Sequence, residues 1–387
     1  MSALTSMRDD FTSRLPKWWS KALAVALLIF AAFLPTMIDQ TGTLMFNCTV
    51  SLAYIVMALG LNTVVGFAGL LDLGFVAFFA LGAYTTGWLS SQFWADANIH
   101  VGVSEYAQNL PGIHMNWLIV VVVAAIICAI AGMVIGLPTL RLRGDYIAIV
   151  TLAFGEIIGK IAVNGDQIRF GENFPLTAGR QGITPVDQLD LPFLEPFNQL
   201  DLKPWYWTAF VMVLIILFVN IRLRDSRLGR AWVAIREDEV AASSMGVPLV
   251  KTKLLAYAAG AAMGGMSGAF LGPFFNTVNA DQFQFGFSIL ILAMIILGGL
   301  GSIWGAVAGA VALTFIQYYF IQDVFKDIPK DLGFDFQLAD INYLIYGFLL
   351  VLMMVLRPQG LIPERRRKLE LAEGVGVEDA QLGTQGA

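Results

Sequence analysis

Charge is scarce in this 387-residue chain: 14% of residues are Asp, Glu, Lys or Arg, against about 25% in ordinary soluble domains. Apolar residues make up 57%, and the mean hydropathy is +0.70. A water-soluble fold of this size cannot hide so much apolar surface, which excludes a soluble enzyme and makes the bilayer the second solvent. Basic residues do not dominate either. The chain has 24 Lys and Arg against 29 Asp and Glu, a net charge of −5, which argues against nucleic-acid binding. Its two cysteines, Cys48 and Cys128, lie in apolar runs and support neither a disulfide framework nor a thiolate metal site. Its two histidines, His100 and His114, share one polar connection with no third ligand at helical spacing, and read as solvated loop residues. A phosphate-binding P-loop is missing as well: the only Gly-Lys pair, Gly159-Lys160, has Phe154 where the first glycine belongs and is followed by Ile161. No chain of His, Asp and Glu crosses the apolar runs, which weighs against a proton-driven carrier.

What the chain does have is length of apolar run. A spanning helix takes about 20 mostly apolar residues, and ten runs qualify, at 22–38, 46–65, 75–93, 117–137, 146–163, 205–221, 254–275, 285–300, 303–320 and 341–356. They predict an all-α polytopic transmembrane bundle with residues 1–21 before it and 357–387 after it. Basic residues in short connections stay on the cytoplasmic side. With the N-terminus inside, 18 of the 24 fall in cytoplasmic segments, five in outer connections and Lys160 within a span. Both termini are then cytoplasmic. The tail from about residue 370 is acidic and glycine-rich, too poor in apolar residues to fold alone, and reads as disordered. On the outer side, residues 164–204 form a long polar connection with five prolines. It is long enough for a small structured lid, one that receives a partner protein or packs over its own helices.

Glycine, at 38 residues, clusters inside the runs. Gly260, Gly264, Gly268 and Gly272 are four apart, as are Gly301, Gly305 and Gly309, and such stripes let helix backbones approach closely. Between the second and third runs, Gly66, Gly69, Asp72 and Gly74 interrupt the apolar pattern. Two readings fit: a broken or re-entrant element beside a pathway, allowed at membrane depth only when buried or lining a cavity, or a tight cytoplasmic turn capped by Asp72. Glu156 and Lys160, four apart in the fifth run, share a helix face and can pair. Intramembrane charge points to function by default, and a structural pair with Lys160 reaching towards the surface is the alternative. Asn62, Thr63 and Thr151 are further polar pathway candidates, with Gln317 weaker.

The connection at 222–253 carries the most distinctive pattern. Trp232, Ile235, Ala242 and Met245 recur at near-helical spacing, and Gly246 followed by Pro248 supplies a stop. One or two short amphipathic helices are predicted. Glu237, Asp238 and Glu239 interrupt the basic face, which suits a groove on a partner protein better than a lipid surface.

The segments at 60–66 (GLNTVVG), 140–151 (LRLRGDYIAIVT), 228–232 (LGRAW) with 235–239 (IREDE), 297–302 (LGGLGS) and 357–361 (RPQGL) resemble, as a set, LivM-type permease subunits of branched-chain amino acid ABC importers. The resemblance implies a permease that passes Leu, Ile or Val across the bacterial inner membrane by alternating access. It also implies a second, LivH-like permease subunit, two ATP-binding subunits and a periplasmic substrate-binding protein, with ATP used only on the partner subunits and no cofactor bound here. Urea and short-chain amide importers have similar permeases and stay open as substrate classes, and an ion-coupled secondary carrier is the rival by helix number. The connection at 222–253 resembles the loop by which such permeases dock on their ATPase. Arg230, Trp232, Ile235, Arg236, Glu237, Glu239, Ala241, Ala242 and Gly246 would then form the coupling element. Ala241, Ala242 and Gly246 fall on its Ala-Ala and Gly positions, but Val240 stands where its acidic residue would be, with Glu239 one place earlier.

Overall fold

The computed structural model describes residues 19–103, 107–139, 146–169, 174–191, 197–198, 200–324, 341–357 and 359–362. They form the all-α polytopic bundle that hydropathy predicts. Its helices are α1 (Trp19–Met37), α2 (Thr43–Leu61), α3 (Val76–Leu89), α4 (Trp117–Thr139), α5 (Tyr146–Asn164), α6 (Leu202–Asp225), α7 (Arg227–Glu237), α8 (Glu239–Ser244), α9 (Leu249–Phe275), α10 (Phe285–Gly298), α11 (Ile303–Phe315) and α12 (Asn342–Leu356). Two π-helical segments, Asn62–Phe67 and Ile316–Val324, continue α2 and α11. The expected disorder from about 370, the segment before residue 19 and the basic stretch at 140–145 lie outside the described residues.

Among the described residues, six stretches are long and apolar enough to cross a bilayer: Thr43–Phe67, Trp117–Thr139, Tyr146–Asn164, Leu202–Asp225, Leu249–Phe275 and Ile303–Ile321. Among the described residues, four further apolar stretches of 10–17 residues, Leu28–Met37, Val76–Leu89, Phe285–Gly298 and Leu344–Leu356, match the remaining runs. The count of ten spans is thus not confirmed among the described residues. Glycine breaks shorten two of the helices: α3 begins only after the irregular stretch that follows Phe67, and α10 stops at Gly299, whose φ is +122°.

Burial separates core helices from surface ones. The most apolar window of Thr43–Phe67 is 89% buried, whereas those of α4 and α5 are 28% buried. A helix apolar all round and wrapped by protein is a core helix; an equally apolar one left bare meets lipid or another chain. α9 packs against α2, α3 and α4, and its glycine stripe is the contact surface. A Cβ on Gly260 would lie 2.7 Å from the Gly60 carbonyl oxygen, and one on Gly264 3.1 Å from Phe75. A Cβ on Gly268 would run into the Phe79 backbone of α3. Hydrogen bonds fix the register of these close crossings. Ser267 Oγ donates to the Ala53 carbonyl at 2.8 Å, and Trp117 Nε1 donates to the Ala269 carbonyl at 3.1 Å. The second stripe joins α10 to α11, where a Cβ on Gly305 would sit 2.6 Å from the Gly298 oxygen.

At the end of the bundle opposite α7 and α8, a three-stranded sheet forms from β1 (Ser90–Ser91), β2 (Ile99–Val101) and β3 (Ile113–Met115), with β3 in the middle. The connection that follows α5 packs over it. Asp187 N donates to the Ser90 carbonyl at 2.8 Å, Ile183 bridges to Val278, and Trp88 and Trp94, stacked 6.0 Å apart, donate to the Leu176 and Pro175 carbonyls.

Here the two histidines depart from the sequence expectation. His114 is fully buried, its Nδ1 lies 2.6 Å from Asp187 Oδ2, and its ring stacks on that of His100 at 5.3 Å. The loop folds back over β3, so a residue in a polar connection becomes an internal clamp. Burial raises the Asp187 carboxyl above its usual range, against the opposing pull of the His114 hydrogen bond.

Candidate functional site

The glycine-rich interruption after α2 is a true break in the helix. A π turn over Asn62–Phe67 gives way to irregular backbone that lasts until α3. Most of it is buried, as membrane-depth irregular backbone must be. Asp72 is buried and its Oδ1 accepts from Gly74 N at 2.8 Å, so it also caps a local turn. The break and the turn capped by Asp72 are thus one element. Thr151 on α5 holds the far side: its Oγ1 accepts from Leu73 N at 3.1 Å, and Gly74 lies against the α5 backbone at Thr151 and Gly155 with no room for a Cβ. On the near side, Asn62 Oδ1 accepts from Gly301 N at 2.9 Å, in the turn between α10 and α11. Among the described residues, Asn62 Nδ2 and Asp72 Oδ2 are buried without a hydrogen-bond partner.

Two short helices, α7 and α8, form at the predicted place. Ser226 caps α7 by accepting from Gly229 N, and Asp238 caps α8 by accepting from Val240 N and Ala241 N. The apolar stripe faces the other way from the one expected: Trp232 and Ile235 are buried against the chain's own bundle, and Trp232 Nε1 donates to the Thr252 carbonyl at 2.8 Å. Once α9 begins beside α7, its surface supplies the groove that these side chains fill. What points outward is α8 and the turn after it, with Val240 71% and Met245 85% exposed and Ala242 tucked beneath. Gly246 follows in a left-handed conformation, φ +84°. Glu239, one place before the departure from the coupling-loop pattern at Val240, accepts from Lys253 Nζ at 2.6 Å and ties α8 to α9.

Arg236 connects this loop to the break. Its Nη1 donates to the Gly66 carbonyl at 2.5 Å, at the C-terminal end of the π turn. Carbonyls there lack helical partners, and a cation beside them is favoured by the helix dipole. The Arg236 stem lies over Gly69, which adopts φ +70° and where a Cβ would come within 2.6 Å of Arg236 Cγ. Sequence spacing gave no sign of this contact, since the two residues are 170 positions apart.

The predicted residues do not all gather. Asn62, Gly66, Asp72, Gly74 and Thr151 are buried along one seam, with the exposed Gly69 and the half-buried Arg236 at its edge. Thr63 points elsewhere, donating through Oγ1 to Asn220 Oδ1 on α6 at 3.0 Å. Asn220, fully buried, was missed; an Asn in an otherwise apolar helix is the signal that could have found it. Glu156 and Lys160 share a face of α5 as expected, but both are exposed at the bundle surface and, among the described residues, no ion pair joins them. Arg230 donates to the Asp225 carbonyl at 2.9 Å and stays within the loop.

The motif segments converge on this end of the bundle. Leu361 N and Ile362 N donate to the Leu297 and Gly298 carbonyls, both at 2.9 Å, which lays the 357–361 motif on the 297–302 motif beside Asn62.

Known proteins resemble this chain over most of its length. The family described as "Branched-chain amino acid transport system / permease component" matches residues 44–354. The high-affinity branched-chain amino acid transport system permease protein LivM of Escherichia coli K12 is 35% identical over 368 residues, covering 92% of this chain and 77% of that protein. The probable branched-chain amino acid transport permease protein LivM of Methanocaldococcus jannaschii is 25% identical over 330 residues, 81% of this chain and 91% of that protein. LivH of Escherichia coli K12, a permease protein of the same kind of system, is 32% identical over 128 residues, 32% of this chain and 40% of that protein. No solved structure matches the chain.

Proposed function

Because the chain belongs to the permease family of branched-chain amino acid transport systems, we infer that it is the membrane subunit of a binding-protein-dependent ABC importer for leucine, isoleucine and valine. It is a transport subunit and carries no ATPase of its own. Two ATP-binding subunits supply the energy, a LivH-like permease completes the pore, and an external binding protein delivers the substrate. The end bearing α7 and α8 faces the cytoplasm of a bacterial cell, in keeping with its arginines, and the β-sheet end faces the binding protein.

The observation that carries this reading is the Arg236–Gly66 hydrogen bond. ATPase subunits seated on Val240, Met245 and their neighbours would move α8. The Glu239–Lys253 pair and the buried Trp232 make α7, α8 and the start of α9 one body. Arg236 passes that movement to the end of the π turn, where the chain is already broken and bends at little cost. The seam of Asn62, Gly66–Asp72, Gly74 and Thr151 then opens to one side or the other. Close glycine contacts between α2, α3 and α9 allow the small slides that alternating access requires.

The outward face is the place to test it. Val240→Asp and Met245→Asp put charge on exposed positions and leave the Trp232 and Ala242 packing intact. Co-purification of the ATPase subunits and ATP-driven leucine uptake should both be lost. Retention of both would rule out docking at α8.

A further inference from the structure

The exposed faces of the membrane helices differ in kind. Along α4 the exposed large side chains are Leu118, Ile119, Val122, Ile126, Ile130, Val134 and Leu137, and along α6 they include Val211, Leu214, Ile215 and Phe218. Such faces suit lipid. On α5, Ile149, Ala153, Glu156, Lys160 and Asn164 form one exposed stripe with steps of four, three, four and four residues. The helix is as bare as α4, yet two full charges lie on it. Glu156 stands near the middle of Tyr146–Asn164, and a carboxylate at that depth costs several kcal/mol in hydrocarbon. Its natural counter-ion does not take it up, for Lys160 sits one turn away, about 6 Å along the axis, with no ion pair between them among the described residues. The opposite face of the same helix carries Thr151 and Gly155, which pack on Gly74 of the break. Any shift of the break therefore moves the charged stripe with it.

We propose that this stripe of α5 lines the aqueous pathway and that Glu156 and Lys160 take the two ends of a zwitterionic amino acid, Glu156 the ammonium and Lys160 the carboxylate. Opposite charges one helical turn apart, each with unspent hydrogen-bonding capacity, match a solute that carries one charge of each sign beside an apolar side chain. Ile149, Ala153 and the neighbouring Ile157 offer that side chain an apolar flank. The proposal rests on the importer reading and adds to it the residues that face the solute.

Cysteine accessibility in the reconstituted complex tests it, with little background because Cys48 and Cys128 are both buried. In Glu156→Cys and Lys160→Cys, a membrane-impermeant methanethiosulfonate should react at least tenfold faster than in Ile126→Cys on the lipid face of α4. Leucine delivered by the binding protein should slow that reaction at least threefold during turnover. In Glu156→Gln and Lys160→Gln, uptake should fall at least tenfold. Labelling no faster than at Ile126 would overturn the proposal. So would a Glu156→Leu protein that has lost the second permease chain, because the charge would then be an interface contact. Wild-type uptake that ignores ATP would instead defeat the importer reading, whatever the labelling shows.

Discussion

Arg236→Ala removes the side-chain hydrogen bond that joins the outward loop to the helix break. The bond lost is a charge-assisted one at 2.5 Å, from Nη1 to the Gly66 carbonyl. Such bonds contribute roughly 1.5–3 kcal/mol, and because Arg236 is only half-buried the lower end applies. About 1.5 kcal/mol corresponds to about tenfold in the equilibrium that links loop position to break position. The helix itself should survive, since Trp232, Ile235 and the Asp238 cap are untouched. The ATPase subunits should therefore still co-purify, while leucine transported per ATP hydrolysed drops about tenfold. Arg236→Lys keeps the charge but not the reach of the guanidinium, and should lie between. The assay is simultaneous measurement of uptake and phosphate release in proteoliposomes. An unchanged ratio of leucine to ATP in Arg236→Ala, with the complex intact, would refute transmission through Gly66.

Gly69→Ala should cost about 1–2 kcal/mol for the left-handed backbone alone, and more for the collision with Arg236 Cγ; thermal unfolding of Gly69→Ala/Arg236→Ala should recover the second part only. Thr63→Val leaves Asn220 Oδ1 buried without its donor, worth about 1–3 kcal/mol, and Thr63→Val/Asn220→Leu should be more stable than the single variant when both are melted in the same lipid discs. The Asp187 carboxyl titrates above its unfolded value of 3.8. Its contribution to stability is then full below that value and lost as pH rises through the raised one. Asp187→Asn should flatten this part of the stability profile between acid and neutral pH, and an unaltered slope would show that the clamp does not titrate through Asp187.

Much of the bundle is legible in the sequence because membrane helices satisfy their own backbones, so hydropathy alone marks them. The glycine stripe at Gly260, Gly264, Gly268 and Gly272 is legible for a similar reason, since only close backbone contact needs it. The break is legible too: Gly66, Gly69 and Gly74 with Asp72 cannot continue a helix in lipid. Long-range contacts are another matter. Nothing near Arg236 names Gly66, and nothing near Thr63 names Asn220, because those partners meet only when distant helices pack. His114 was misplaced for the same reason, as a polar loop folding over a sheet leaves no periodic trace. The inward turn of Trp232 and Ile235 followed from α9 lying next to α7, which an amphipathic pattern cannot reveal: the pattern says that one face seeks cover and is silent on who provides it.

Uptake of labelled leucine into proteoliposomes holding the whole complex bears most directly on what this chain does. The binding protein is placed on the substrate side and ATP on the nucleotide side, with ionophores present. Uptake that requires both ATP and the binding protein, and survives the ionophores, is the expected result. Uptake that collapses with the ion gradient and ignores ATP would contradict it and make the chain an ion-coupled carrier.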